Sequence, residues 1–151
     1  MPIGTSIDKI DLSSENRTEE LANKISKKLK LGDIVFLYGE MGVGKTTFIK
    51  YLINGLQKEE KLKQTEVTSP TFNLLNEYQT KKFKINHYDL FRLKSVEELK
   101  SLDLFEDNKD TITFIEWPQI IKETPKNLIE LSFNYEDDYE KRSVQIKGLD
   151  L

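Results

Sequence analysis

Apolar residues in this chain gather into short runs whose spacing switches between helical and strand-like. Ile3, Ile7, Ile10 and Leu12 are scattered over residues 1–13 and suit a short edge strand or a tail. Asn16, with Glu19 three positions on, reads as a helix start; Leu21, Ala22, Ile25 and Leu29 then share one face, and Gly32 supplies the stop. Ile34-Val35-Phe36-Leu37-Tyr38 is continuous rather than alternating, as in a strand covered on both faces. Phe48, Ile49, Leu52, Ile53 and Leu56 return to helical spacing.

Beyond a charged connector, Lys58 to Glu66, the run Val67 to Phe72 reads as a brief strand broken by a turn at Ser69-Pro70. Leu74–Tyr78 and Phe83–Tyr88 predict a hairpin. In its second arm Phe83, Ile85, His87 and Asp89 share one face, and Lys84, Asn86 and Tyr88 the other. A compact turn, Leu90 to Leu93, precedes a short helix opened by a capping box of Ser95 and Glu98, with Val96 and Leu99 inward and Leu102 continuing the stripe. Asp103 to Asp110 reads as an acidic loop. Thr111 to Trp117 predicts a strand with Ile112, Phe114 and Glu116 on one face, and Pro118 to Lys126 a short helix. Leu128–Phe133 and Ser143–Lys147 predict antiparallel strands, because the acidic connection between them is too short for a helical crossover. Strands alternating with helices over 151 residues imply one α/β domain, residues 1–151.

The first continuous strand and the helix after it are joined by a glycine turn. Gly39 to Thr46 fits G-x-x-x-x-G-K-[ST], the phosphate-binding P-loop, at every fixed position. Gly39, Gly42 and Gly44 let the backbone N–H groups of the turn, Met41 and Val43 among them, close on phosphate without Cβ obstruction. Lys45 is a point charge for the β- and γ-phosphates, the Thr46 hydroxyl a ligand for Mg²⁺, and Thr47 a contact for the α-phosphate. A plain glycine turn would explain neither Lys45 nor Thr46.

Other candidate residues have competing readings. Ser69, Pro70 and Thr71 form a hydroxyl-bearing loop suited to sensing a γ-phosphate as a switch does, or an ordinary turn. Asp89 and His87 close an apolar strand face, as at a ligand site on a carboxyl edge; alternatively, Asp89 caps the next turn and His87 is simply hydrogen-bonded. Glu116, leaving its strand just before Pro118, is placed as a Walker-B acid holding Mg²⁺ or its water, or is an exposed strand-end glutamate. Trp117 is core or a lid over a base. Ser14 to Thr18 either reach that base or cap the first helix, and Arg142 either lies over the nucleotide or pairs with the acidic turn.

Composition narrows the chemistry. The chain has no cysteine and one histidine, which excludes disulfides, thiolate metal sites and a multi-histidine zinc site within one chain. A net charge of −3 argues against nucleic-acid binding by bulk electrostatics. No run approaches about 18 apolar residues, so no membrane segment is expected and a cytoplasmic location is the default. The D-x-x-G and N-K-x-D signatures of guanine readers are absent, which favours ATP over GTP. The L-S-G-G-Q signature of ABC-type ATPases is absent too, and three arginines are thin provision for a kinase lid. A small ATPase serving a partner is the reading left. The alternatives are a small-molecule kinase and a nucleotide-gated scaffold that never hydrolyses.

Four blocks in order, Gly39 to Phe48, Val67-Thr68-Ser69-Pro70-Thr71-Phe72, His87-Tyr88-Asp89-Leu90-Phe91-Arg92-Leu93 and Ile115-Glu116-Trp117-Pro118, together resemble the TsaE (YjeE) family of bacterial ATPases in tRNA threonylcarbamoyladenosine biosynthesis. The resemblance implies a P-loop NTPase fold, a three-layer sandwich with a mixed central sheet, and weak ATPase activity raised in complex with TsaB and TsaD. It implies Mg²⁺ at Thr46, Glu116 and Asp89, catalytic parts for Lys45, Asp89 and Glu116, and a switch-like loop from Ser69 to Thr71. Thr18, Trp117 and Arg142 would lie near the nucleotide, and tRNA would be met only through the complex. Met41 and Phe91 replace the family's commoner Leu and Tyr, and Leu102 to Glu106 lacks its usual glycine.

Overall fold

The computed structural model describes residues 9–105 and 109–151. Their strands form one sheet: β1 (Ile10–Asp11), β2 (Ile34–Tyr38), β3 (Leu75–Gln79), β4 (Lys84–Asp89), β5 (Thr111–Glu116), β6 (Leu128–Tyr135) and β7 (Arg142–Lys147). The spatial order is β1-β7-β6-β2-β5-β4-β3. The four central strands β6, β2, β5 and β4 are parallel, whereas β3, β7 and β1 run antiparallel to their neighbours, so the sheet is mixed. The expected hairpin and the antiparallel C-terminal pair are both present.

Two apolar layers flank the sheet. On one face Val35, Leu37, Ile85, Ile112, Phe114 and Leu131 pack with helices α1 (Glu15–Ser26) and α2 (Lys45–Glu59). Phe48 and Phe133 meet edge to face at 5.4 Å, tying α2 to β6. On the other face Ile34, Phe36, Tyr88 and Ile115 meet Leu99 of helix α3 (Val96–Lys100), Leu102, Leu104 and Ile120. Helices or turns on both faces make the three layers expected.

Several local expectations are corrected. Ser14, not Asn16, caps α1: its backbone is extended and its hydroxyl accepts the Arg17 N–H at 3.2 Å. The helix ends at Ser26 rather than near Gly32; Leu29 is buried without being helical, and the Gly32 N–H instead donates to the Thr111 carbonyl. Val67 to Phe72 forms no strand. Side chains of β3, not its main chain, hold that segment, with Asn76 Nδ2 donating to the Thr68 carbonyl at 3.1 Å. The capping box at Ser95 forms, yet Val96 is exposed and only Leu99 and Leu102 pack inward. The run after β5 is a single 3₁₀ turn, Pro118–Ile120, and the backbone is already extended at Ile121. Of the N-terminal run, Ile10–Asp11 is the expected edge strand; Ile3 and Ile7, like Glu106 to Asn108 of the acidic loop, lie outside the described residues.

Candidate functional site

The carboxyl ends of β2, β5 and β4 lie side by side, and what leaves them forms the site. From β2 the chain enters the glycine turn. Gly39 has φ +147°, and a Cβ there would sit 2.9 Å from the Phe133 carbonyl oxygen, so only glycine lets the turn lie against β6. Gly44 is the N-cap of α2 at φ +113° and has no side chain to cap it, leaving first-turn N–H groups free to face an anion. Lys45, 4% exposed, donates to the Gly39 carbonyl at 2.5 Å and its Nζ lies 3.8 Å from the centre of the Trp117 ring. Burial pulls the Lys45 ammonium below the ordinary lysine range, and the Glu116 and Asp89 carboxylates oppose that pull.

The acids come from register. β4 and β5 pair in parallel with Asp89 opposite Glu116, and β2 pairs with β5 so that Leu37 is opposite Glu116. Both acids are therefore on the α2 side of the sheet and both are buried. The Thr46 hydroxyl donates to Glu116, 3.0 Å from Oε2 and 3.2 Å from Oε1. Asp89 accepts the Thr71 hydroxyl at 3.2 Å and the Phe91 N–H at 2.9 Å, so it caps the turn after β4 and also faces the cleft. Thr71 is 2.6 Å from Ser69 Oγ, and the Leu74 N–H closes the turn onto the Pro70 carbonyl at 2.7 Å.

One cavity of about 290 Å³ brings together Met41, Gly42, Gly44, Lys45, Thr46, Thr47, Ser69, Thr71, Asp89, Glu116, Trp117 and Arg142, together with Phe91. A second, of about 310 Å³, holds Thr18 and Val43 beside Ser14, Glu15, Phe133 and Glu140; Gly44, Thr47 and Arg142 border both. Thr18 is thus set apart from Lys45, and its hydroxyl also donates to the Ser14 carbonyl at 3.2 Å. Gly39 and Pro70 support the walls through their carbonyls rather than lining either cavity. Arg142 Nη1 lies 3.5 Å from where a Cβ on Gly44 would be, over the helix start.

Three features lay beyond sequence reasoning. His87 is fully buried with Nε2 2.7 Å from Glu116 Oε2, a contact that depends on which strand neighbours β4. Phe91 packs against Trp117 with ring centres 4.9 Å apart and planes tilted by 54°, and the Trp117 backbone is left-handed at φ +56°. Glu140 reaches the second cavity from a turn that has no motif. The shared face of His87 and Asp89 was the available signal for the first.

Thr46, Asp89 and Glu116 offer oxygen donors only, the hard ligand type that suits Mg²⁺. Among the described residues no three His, Asp or Glu side chains are grouped to hold a metal by themselves. No helix among the described residues is long and apolar enough to cross a membrane.

The model of a family described as Threonylcarbamoyl adenosine biosynthesis protein TsaE matches residues 12–144. The tRNA threonylcarbamoyladenosine biosynthesis protein TsaE of Rickettsia bellii is 44% identical over 128 residues, spanning 84% of this chain and 86% of that protein. The protein of the same description from Aquifex aeolicus is 36% identical over 135 residues, spanning 89% and 92%. The crystal structure of Bacillus subtilis YdiB shares the fold, with a TM-score of 0.64 over 92% of this chain and 83% of that one at 22% identity. This chain belongs to the TsaE family of tRNA threonylcarbamoyladenosine biosynthesis proteins.

Proposed function

We propose that this chain is a single-domain P-loop ATPase of the cytoplasm whose Mg²⁺-dependent hydrolysis of ATP supports formation of N6-threonylcarbamoyladenosine at position 37 of tRNAs reading ANN codons. The observation that carries the reading is the meeting, in one cavity, of the buried Lys45 and the glycine turn with the Thr46 hydroxyl and two strand-end acids. A phosphate chain needs amides and a cation on one side and metal-holding oxygens on the other.

In this reading ATP and water give ADP, inorganic phosphate and a proton. The turn amides and the α2 N-terminus cradle the phosphates, and Lys45 turns its remaining N–H donors to the β- and γ-oxygens, where developing charge is stabilised without reorganisation. Thr46, Glu116 and Asp89 would hold Mg²⁺, which when bound neutralises charge on the phosphate oxygens. Asp89 or Glu116 orders the attacking water. Ser69 and Thr71, tied to Asp89, are the γ-phosphate sensor. The base is received beside Thr18, with Arg142 and Trp117 closing over the nucleotide.

TsaB and TsaD are the partners in this reading, and tRNA is met through the complex, in keeping with a net charge of −3. Phosphate release measured with this protein alone, then with the TsaB–TsaD pair and substrate tRNA, tests it. Slow release alone and faster release in the full complex are expected. Tight ATP binding with no release in any mixture would instead make the chain a nucleotide-gated scaffold, and a phosphorylated small molecule without free phosphate would make it a kinase.

A further inference from the structure

Glu116 is the junction of a chain of three side chains. Its Oε2 lies 2.7 Å from His87 Nε2 and 3.0 Å from Thr46 Oγ1. A carboxylate has no proton to give, so both neighbours donate: the imidazole through Nε2–H, and the hydroxyl through its one proton, which leaves the Thr46 lone pairs turned away from the acid. His87 is fully buried, and its other ring nitrogen, Nδ1, has no partner. A leucine would fill the same space without stranding a polar atom in the core, so packing alone does not account for the imidazole. His87 borders neither the cavity of Lys45 nor that of Thr18, so whatever it does for the site it does through Glu116.

Resting on the reading of this cleft as a Mg²⁺–nucleotide site, we infer that His87 is a positioning residue: its Nε2–H anchors Glu116 so that the acid holds the Thr46 hydroxyl with its lone pairs toward the ion. The competing attraction is close by. The Lys45 ammonium interacts electrostatically with Glu116, and without His87 only the Thr46 hydroxyl, 3.2 Å from Oε1 and 3.0 Å from Oε2, holds the acid against a swing toward it. That swing releases Thr46 and also occupies the cation meant for phosphate. Losing an outer-shell hydrogen bond of this kind typically lowers metal affinity by about 10- to 100-fold.

Trp117, the one tryptophan of the chain, lies against both Lys45 and Phe91, so its emission reports on the cleft. The test titrates MgCl₂ into wild type, His87→Gln, His87→Asn and His87→Leu, each preloaded with AMP-PNP. Trp117 emission and, independently, calorimetry follow binding; AMP-PNP affinity in EDTA and thermal melting are measured alongside. Glutamine keeps an N–H donor near the Nε2 position, the asparagine amide stops one bond short, and leucine has no donor. The half-saturating Mg²⁺ concentration is expected to stay within about threefold of wild type for His87→Gln and to rise about 10- to 100-fold for His87→Asn and His87→Leu. AMP-PNP affinity in EDTA is expected to stay near the wild-type value in all of them. Folded His87→Asn or His87→Leu protein with wild-type Mg²⁺ affinity overturns the inference, as does a His87→Gln variant that loses as much as His87→Leu. Should His87→Leu fail to fold, the Asn and Gln pair decides. A wild-type protein that binds neither AMP-PNP in EDTA nor Mg²⁺ thereafter would overturn the nucleotide reading itself, and this inference with it.

Discussion

The two walls of the cleft are built in opposite ways. Gly39 to Thr46 is continuous in sequence and runs into a helix whose Phe48, Ile49, Leu52 and Ile53 are fully buried. The facing wall is assembled from separate pieces: Glu116 from β5, Asp89 from β4, and Ser69 and Thr71 from a loop without regular structure. Beside that loop Phe72 is 80% exposed, its ring under the Arg92 guanidinium at 4.4 Å. A wall made of consecutive residues is fixed once its helix packs. A wall made of strand ends and a loop depends on register and on a few hydrogen bonds. Changes in the first wall should therefore weaken nucleotide binding, with turnover falling alongside it, whereas changes in the second should leave nucleotide affinity close to wild type.

Substitutions in each wall sharpen that contrast. Removing Phe48 from its contact with Phe133 opens a core cavity, and Phe48→Ala is expected to cost about 3–5 kcal/mol in denaturant unfolding. Phe72→Ala, at the other wall, should stay within about 0.5 kcal/mol. Equal effects would erase the distinction. Lys45→Ala should lower turnover in the assembled complex by about 10²–10³-fold and also weaken ATP binding, because one buried charge serves both.

Glu116→Ala should raise the Mg²⁺ requirement about 10- to 100-fold while leaving nucleotide affinity in EDTA close to wild type. Identical rates for this variant and the wild type in the full complex would remove the metal role. Thr71→Ala, which breaks the hydrogen bond to Asp89, should reduce turnover by roughly tenfold with little change in ATP affinity, the size expected for losing one hydrogen bond to a charged group. The smallest effect belongs to Ser14→Ala, which removes the α1 cap; about 1 kcal/mol of stability should be lost in thermal melting without a change in Mg²⁺ affinity.

The same contrast explains what could be read from the chain. The glycine turn was legible because its glycines, Lys45 and Thr46 are adjacent, and the flanking strand and helix announce themselves by spacing. Candidate acids were legible as polar residues ending apolar strands. That Asp89 and Glu116 face one another was not, since the register of β4 on β5 is fixed by the sheet and not by either strand. The His87–Glu116 bond followed the same rule. Local errors had local causes: Ser14 and Asn16 are both competent caps two residues apart, and Gly32 serves a turn against Thr111 instead of closing a helix. Val67 to Phe72 has strand-like residues but is held by the side chains of Asn76 and Tyr78.

The most direct test of a cleft that holds magnesium and nucleotide between these walls is a crystal structure with AMP-PNP and MgCl₂. The triphosphate is expected along the glycine turn beside Lys45, with the base toward Thr18 and the ion facing Thr46, Glu116 and Asp89. A triphosphate bound elsewhere, or an ion remote from those three side chains, would contradict it.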